Sequence, residues 1–339
     1  MKNAKQILGS LILAATLFTS CQEEENGETY VQLVSDQRAT AQEFADKKAS
    51  VLNNLKQEFQ FNSNSMGNFT TEKGVNLLIN GACLTKNGVS VTGIVDIEVV
   101  EIFDRAEMLT TNKATMGLMP NGDRAILKSG GEFFINATQN GEALQLTCAM
   151  QLSVPTNLTG DVDFGMTLWN GIIGLECDNE IGCDDVIWVE EHNDANEPNN
   201  VVVDDKNGTV AYYAPIQGFG WTNIDRFYND PRPKTMILVD VPQGFDLENS
   251  AVYLSYDGEP SALARLDTYD EDEELFSEHY GQIPVGLECH LIFVSVENGN
   301  WLYAIKPATI IADGTFEILD AELVSGTEAQ LTALINGLP

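Results

Sequence analysis

Short segments of alternating apolar and polar residues, cut about every ten residues by Gly- and Asn-rich turns, constrain this chain more than any other feature. In "GVNLLINGACLTKNGVSVTGIVDIEVVEIFD" the alternation runs between turn signals at Asn80-Gly81 and Asn87-Gly88 and continues through Val95, Ile97, Val99 and Glu101. "GGEFFINATQNGEALQLTCAMQLSVP" repeats it, with Asn140-Gly141 as a tight hairpin. Successive strand side chains point to opposite faces, so period two buries one face of a sheet, and Asn-Gly supplies the left-handed pair of a two-residue loop. Strands resume from Val201 in "GTVAYYAPIQGFGWTNIDRFYND", "TMILVDVP", "SAVYLSYDG", "GLECHLIFVSVENGNWLYAIKPATI" and "TFEILDAEL". The expectation is a mainly β protein: two antiparallel β-sandwich domains, at residues 69–157 and 201–339, with an N-terminal spacer helix and a short C-terminal helix.

Two stretches follow a helical period instead. Residues 35–62 bring Phe44, Val51, Leu52, Leu55 and Phe59 close to one stripe, with Ser35 or Asp36 as cap, and the stripe is expected to pack on the domain that follows. In "SGTEAQLTALINGL", Ser325 and Glu328 have capping-box spacing, and Leu331, Leu334 and Ile335 supply a buried side. Residues 158–200, rich in Gly, Asn, Asp and Glu, read as an acidic connection partly ordered by Trp169, Ile187 and Trp188.

The chain has 339 residues, 18 of them Lys or Arg against 51 Asp or Glu, for a formal net charge of −33. A surface this acidic repels phosphate, which argues against nucleic acid and anionic headgroups as partners. Hydrophobic residues make up 43% and are interleaved with the acids, so the composition supports a folded chain.

The amino terminus carries Lys2 and Lys5 and then a weakly polar to apolar run from Ile7 to Phe18. Such a run is shorter than the roughly 20 apolar residues of a spanning helix and fits a secretory signal. Leu17-Phe18-Thr19-Ser20-Cys21 resembles a bacterial lipobox, slightly loosened by Phe18. The resemblance implies a lipoprotein signal peptide over 1–20, cut before Cys21, with a diacylglycerol on the sulfur and a further acyl chain, of the palmitate class, on the new amine. An ordinary signal followed by a chance cysteine is the alternative. Residues 21–34 form an acidic tether. Gln22-Glu23-Glu24-Glu25 resembles the acidic signal that sends Bacteroidota lipoproteins through the outer membrane to the cell surface, although a solvated tether would carry such residues too.

Setting Cys21 aside leaves Cys83, Cys148, Cys177, Cys183 and Cys289, an odd number. Cys177 and Cys183 flank the short loop "CDNEIGC" and are disulfide candidates, Cys83 and Cys148 lie in strand-like segments of one domain, and Cys289 would then be buried and free. No C-x-x-C pair exists, and His192, His279 and His290 show no ligand spacing, so no metal and no cofactor is expected.

The stretch Gly74 to Thr156, with "GVNLLINGACL", "GIVDIEVVEIFDRAEML", "LKSGGEFFINATQNGEALQL" and a closing "VP", resembles a ZU5-like β-sandwich of Bacteroidota surface lipoproteins; a Ser129-Gly130-Gly131-Glu132 turn before an aromatic strand is its most distinctive feature. The resemblance implies interaction or domain packing. Self-cleavage is not implied, since the His-Phe-Ser type of site is missing from the sequence. Gly220 to Phe227, "GWTNIDRF", is similar to a GWxNxDRF element in the same class of lipoproteins, of unassigned function.

That element is also the most unusual chemical cluster. Trp221, Asn223, Asp225 and Arg226 combine a flat ring, an amide, a carboxylate and a guanidinium, a set that binds sugar by stacking and hydroxyl contacts. The competing reading buries Trp221 in the core and makes Asp225 and Arg226 an ion pair or a backbone-bonded corner. Asp267, Asp270, Glu271, Asp272, Glu273 and Glu274 could offer oxygens to calcium, as could Asp178, Asp184 and Asp185, but both runs lack an EF-hand's graded spacing and read as solvated loops. No nucleophile-and-base motif appears. The expectation is a non-catalytic outer-membrane protein, lipid-anchored and facing outward, that binds a glycan or an envelope protein or serves as a structural accessory. A carboxylate-based, glycosidase-like hydrolase in the C-terminal domain is the alternative.

Overall fold

The computed structural model describes residues 39–173, 186–193, 195–199, 201–206 and 208–339, the side chains of Lys206 and His279 excepted. The chain begins with α1 (Ala41–Asn54), β1 (Gln57–Asn62), β2 (Met66–Thr70), β3 (Asn76–Asn80), β4 (Leu84–Lys86), β5 (Val89–Ser90) and β6 (Ile94–Ile102). It continues with α2 (Arg105–Thr110), β7 (Met116–Leu118), the long β8 (Arg124–Gln139), β9 (Glu142–Ala143), β10 (Gln145–Leu146) and β11 (Met150–Pro155). Next come β12 (Thr167–Ile173), β13 (Val186–Glu190), β14 (Val202–Lys206), β15 (Thr209–Ile216) and β16 (Gly220–Phe227). The last third holds β17 (Lys234–Asp240), β18 (Ser250–Tyr256), β19 (Ala264–Leu266), β20 (Thr268–Asp270), β21 (Leu275–Pro284), β22 (Glu288–Glu297), β23 (Asn300–Thr309), β24 (Gly314–Glu317), β25 (Val324–Gly326) and α3 (Glu328–Asn336).

The protein is mainly β, as the alternation predicts. One sheet runs β1-β6-β8-β16-β12-β13-β7, and a second, β14-β15-β11-β3-β2, lies over it across an apolar layer that includes Leu77, Ile97, Phe133, Leu152, Tyr212 and Ile224. Because β7 pairs with both β13 and the start of β8, strands β8, β16, β12, β13 and β7 close into a ring. The C-terminal third forms another two-sheet stack, β20-β21-β17-β24 against β19-β18-β22-β23-β25.

The sandwich boundaries differ from the expected ones. Strand β15 pairs with β11 and carries β14 on its other edge, and β16 pairs with β8, so residues 202–227 complete the first sandwich. The supposed connection 158–200 supplies β12 and β13 to the same sheet. Its high Gly and acid content masked two strands whose burial depends on Trp169 and Trp188. Gly171, read as loop composition, is required by packing: a Cβ there would lie 2.5 Å from Trp221 Cβ.

Local signals were displaced in a similar way. Asn87-Gly88 and Asn140-Gly141 form left-handed hairpin pairs, but Asn80 accepts from Ala82 N and starts a short 3-10 turn, because a Cβ on Gly81 would strike the Ser63 backbone. The Ser129-Gly130-Gly131-Glu132 turn is a bulge within β8, where Gly130 and Gly131 together face Ile224 of β16. Helix α1 is capped by Thr40, whose Oγ1 accepts from Glu43 N at 3.1 Å, and it stops at Asn54, leaving Phe59 in β1. It packs on the C-terminal stack, with Phe44 edge-on to Trp301 at 6.3 Å, and not on the sandwich that follows it. Helix α3 uses Thr327 and Gln330 as its capping box in place of Ser325 and Glu328; Leu331 and Ile335 are buried, and Leu334 is 49% exposed.

The two stacks share one core. All described residues belong to a single compact unit, and Val100, Phe134, Trp188 and Trp221 join the same apolar cluster as Leu254, Phe293 and Leu331. Backbone bonds sew the seam: Thr115 N to Leu263 O at 3.0 Å, Ser129 N to Ser261 O at 3.1 Å and Arg105 N to Pro260 O at 3.3 Å. Arg105, fully buried, donates to Ser255 Oγ and to the carbonyls of Leu338 and Pro339, which fixes the end of α3 beside α2.

Candidate functional site

Strand β16 lies between β8 and β12, so both of its faces are covered. Alternation turns Trp221, Asn223 and Asp225 to one side, toward the shared core, and Ile224 to the sandwich layer, while the bulge in the opposite strand places Ser129 across from Asp225. Trp221 is 3% exposed and packs against Phe134 at 5.4 Å and Trp188 at 6.3 Å. Asn223 and Asp225 are fully buried. The expected sugar-binding set is therefore split: three of its members are interior, and only Arg226 reaches the surface. The Asp225–Arg226 pair of the competing reading is also absent from the structure, because consecutive strand residues diverge; Arg226 Nε instead meets Asp163 Oδ2 at 2.5 Å.

Arg226 lines a cleft of about 520 Å³ with Phe227, Tyr228, Asn229, Asp230, Lys234, Gln282 and, from the neighbouring hairpin, Met119, Ala125 and Ile126. Two of the lining residues are aromatic and anchored in the core: Phe227 stands edge-on to Trp169 at 5.1 Å and Tyr228 edge-on to Tyr256 at 5.3 Å. The polar lining is pinned. Arg232 grips both oxygens of Asp230, at 3.0 and 2.6 Å, which lowers that carboxyl to about 2 and keeps it an acceptor. Lys234 Nζ lies 4.0 Å from Asp230, and partial burial lowers its pKa. Gln282 Nε2 donates to Asp123 Oδ2 at 3.1 Å, tying the rim across the seam.

The other expected groups fall elsewhere. Cys21, Cys177 and Cys183 lie outside the described residues, as do Asp178, Asp184 and Asp185. Cys83 and Cys148 form a disulfide. Cys289 is a buried free thiol, pushed up to about 12 by burial. His290 faces away from it and bonds Asp257 Oδ1 at 2.8 Å, while His192 Nδ1 sits 3.0 Å from Glu190 O. Asp267 is engaged by Arg124 and Tyr280 across the seam, and Asp270 caps its own turn by accepting from Asp272 N and Glu273 N, so these two do not converge on a cation. Among the described residues no group of three metal-type side chains comes together.

Sequence reasoning missed the cleft residues beyond Arg226, because Tyr228, Asn229 and Asp230 lead into a Pro-rich turn and meet Gln282 only through the fold. It also missed the buried acids, whose signal was available: Glu132 and Glu278 stand at apolar positions of alternating strands. Glu278, 1% exposed, is raised to about 7 by burial, although the backbone N–H of Gly281 partly offsets the shift. A folded pKa above the ordinary 4.5 means the native state holds the proton more tightly, so this contribution to stability is full below 4.5 and is lost as pH rises toward 7. The loss amounts to about 3 kcal/mol. Glu278→Gln should remove it: urea unfolding at pH 5 and pH 8 is expected to show the variant gaining on wild type by that amount at the higher pH, and an unchanged difference between the two pH values would contradict the assignment.

Set against known proteins, the chain matches no protein-family model and no curated protein. Fold and site together define a mainly β protein with a cleft, lined by polar and aromatic residues, at the seam of two stacks.

Proposed function

We propose that this is a lipid-anchored surface protein of the outer membrane, held by Cys21, whose folded body binds a glycan without catalysis. The cleft beside Arg226 is the ligand seat. The observation that carries this reading is its lining: Phe227 and Tyr228 offer aromatic surface, and Asp230, Asn229 and Gln282 offer hydroxyl partners. Arg226 and Lys234 stand there on an otherwise acidic protein, which favours sugars bearing a carboxylate. The lipobox resemblance, the acidic tether and the ZU5-like resemblance of Gly74 to Thr156 support the envelope address and an interaction role. A glycosidase needs two carboxylates facing across the scissile bond. Among the lining residues Asp230 is the one carboxylate, held well below the range of a proton donor, so the hydrolase reading has less support.

Calorimetric titration with uronic-acid and neutral oligosaccharides is the test. Uronic-acid oligosaccharides should bind, and Tyr228→Ala and Lys234→Ala should each weaken binding by about tenfold, roughly 1.4 kcal/mol. Equal affinity in the variants, or no binding of either sugar class, would refute the seat. The anchor is checked separately: Cys21→Ala should release the protein from membranes and abolish palmitate incorporation.

A further inference from the structure

Most buried charges in this fold are satisfied. Glu101 accepts from Thr71 Oγ1, Gln57 Nε2 and Lys73 N, and Glu107 from Lys73 Nζ and Phe103 N. Glu132 is different. It is completely buried, and among the described residues neither of its carboxylate oxygens has a hydrogen-bond partner. Such an orphan costs about 1–3 kcal/mol or more, so a native fold that retains one calls for a reason.

The surroundings supply chemistry. On adjacent strands Glu132 lies opposite Asn223 and Phe134 opposite Trp221, four side chains on the face toward the shared core. Lys113, 1% exposed, comes down on this square, with Nζ 5.5 Å from the Trp221 ring centroid. Asn223 is the next residue on the same side of β16, about 7 Å along the strand, within the sweep of a four-carbon stem. Asn223 is held at both ends of its amide: Oδ1 accepts from Ser129 Oγ at 3.0 Å, and Nδ2 donates to Asp225 Oδ2 at 2.6 Å. Asp225 keeps Oδ1 without a partner of hydrogen-bond geometry.

We propose that Lys113 and Asn223 become joined by an intramolecular amide bond, with Glu132 and Asp225 moving the protons. Glu132 takes a proton from the Lys113 ammonium, and both groups become neutral, as a dry site favours. The free amine attacks Cγ of Asn223, whose carbonyl is polarised by Ser129. Asp225, protonated at Oδ1, delivers a proton to the leaving nitrogen and takes up in exchange the proton that the attacking Nζ must lose. The new bond is Lys113 Nζ to Asn223 Cγ, the Cγ–Nδ2 bond breaks, and one ammonia departs; no oxidant or reductant is required. Burial raises the carboxyls of Glu132 and Asp225 well above their ordinary values, so both are suited to carry protons. Fixed neighbours in one core supply the high effective concentration that an amide-forming reaction needs.

The test is proteolysis of the reduced full chain followed by mass spectrometry. Trypsin is expected to leave Lys113 uncut, and the segment Ala106–Arg124 should appear joined to the segment ending at Arg226, lighter than the two together by one ammonia, about 17 Da. Three linear peptides, two from cleavage after Lys113 and one carrying intact Asn223, would overturn the proposal. Glu132→Gln preserves shape but cannot accept the lysine proton, so it should fold with the same circular dichroism spectrum and lack the branched product. A branched product in that variant would remove Glu132 from the reaction.

Discussion

Trp221→Ala is expected to cost about 3–5 kcal/mol of stability, the range for deleting a buried aromatic side chain. The indole fills the space between Phe134, Trp188 and the backbone of Gly171, a position no smaller side chain can occupy without leaving a cavity. Because the seam holds the two stacks in one core, the loss should appear as a lower midpoint in a single cooperative unfolding transition, by circular dichroism and by tryptophan fluorescence alike. A surface sugar platform would behave in the opposite manner, losing ligand while keeping its midpoint. A Trp221→Ala protein as stable as wild type would place the ring outside the core and refute the packing described above.

The second large effect concerns Cys83 and Cys148, separated by 65 residues in sequence. Closing a loop of that length removes denatured-state freedom worth about 4 kcal/mol on the chain-entropy account. The bridge joins the turn before β4 to the residue leading into β11, so it staples the small β10-β4-β5 sheet to the sandwich. The double variant Cys83→Ala/Cys148→Ala should unfold at clearly lower denaturant, and dithiothreitol should shift wild type toward the variant while leaving the variant itself unchanged. Equal midpoints for wild type and double variant would show that the crosslink does not constrain the unfolded chain.

Much of the architecture is legible from residues alone, and the failures share a cause. Period two located most strands, and Asn87-Gly88 and Asn140-Gly141 turned where their left-handed preference requires. Asn80-Gly81 did not: Asn80 caps a turn of 3-10 helix, and its glycine is required by the close approach of the Ser63 backbone. Capping residues were placed within a few positions at both helix starts, since Thr40 and Thr327 compete locally with Ser35, Asp36 and Ser325. The sugar-binding assignment at Trp221, Asn223 and Asp225 failed at the next level up. A motif of ring, amide and carboxylate looks the same whether the strand carrying it is an edge or a centre, and β16 proved to be a centre.

The amino-acid order by itself determined the mainly β character, the strongly acidic surface, the positions of most strands and the odd count of cysteines, because alternation, charge and turn chemistry act over a few neighbouring residues. Only the tertiary structure decided which strands became partners, how 158–200 joined the first sandwich, and that α1 docks on the far stack. The same holds for the cleft around Arg226 and the buried group of Lys113, Glu132, Asn223 and Asp225: burial and long-range pairing are properties of the assembled sheets, and a side chain's chemistry is set by the neighbours that folding gives it.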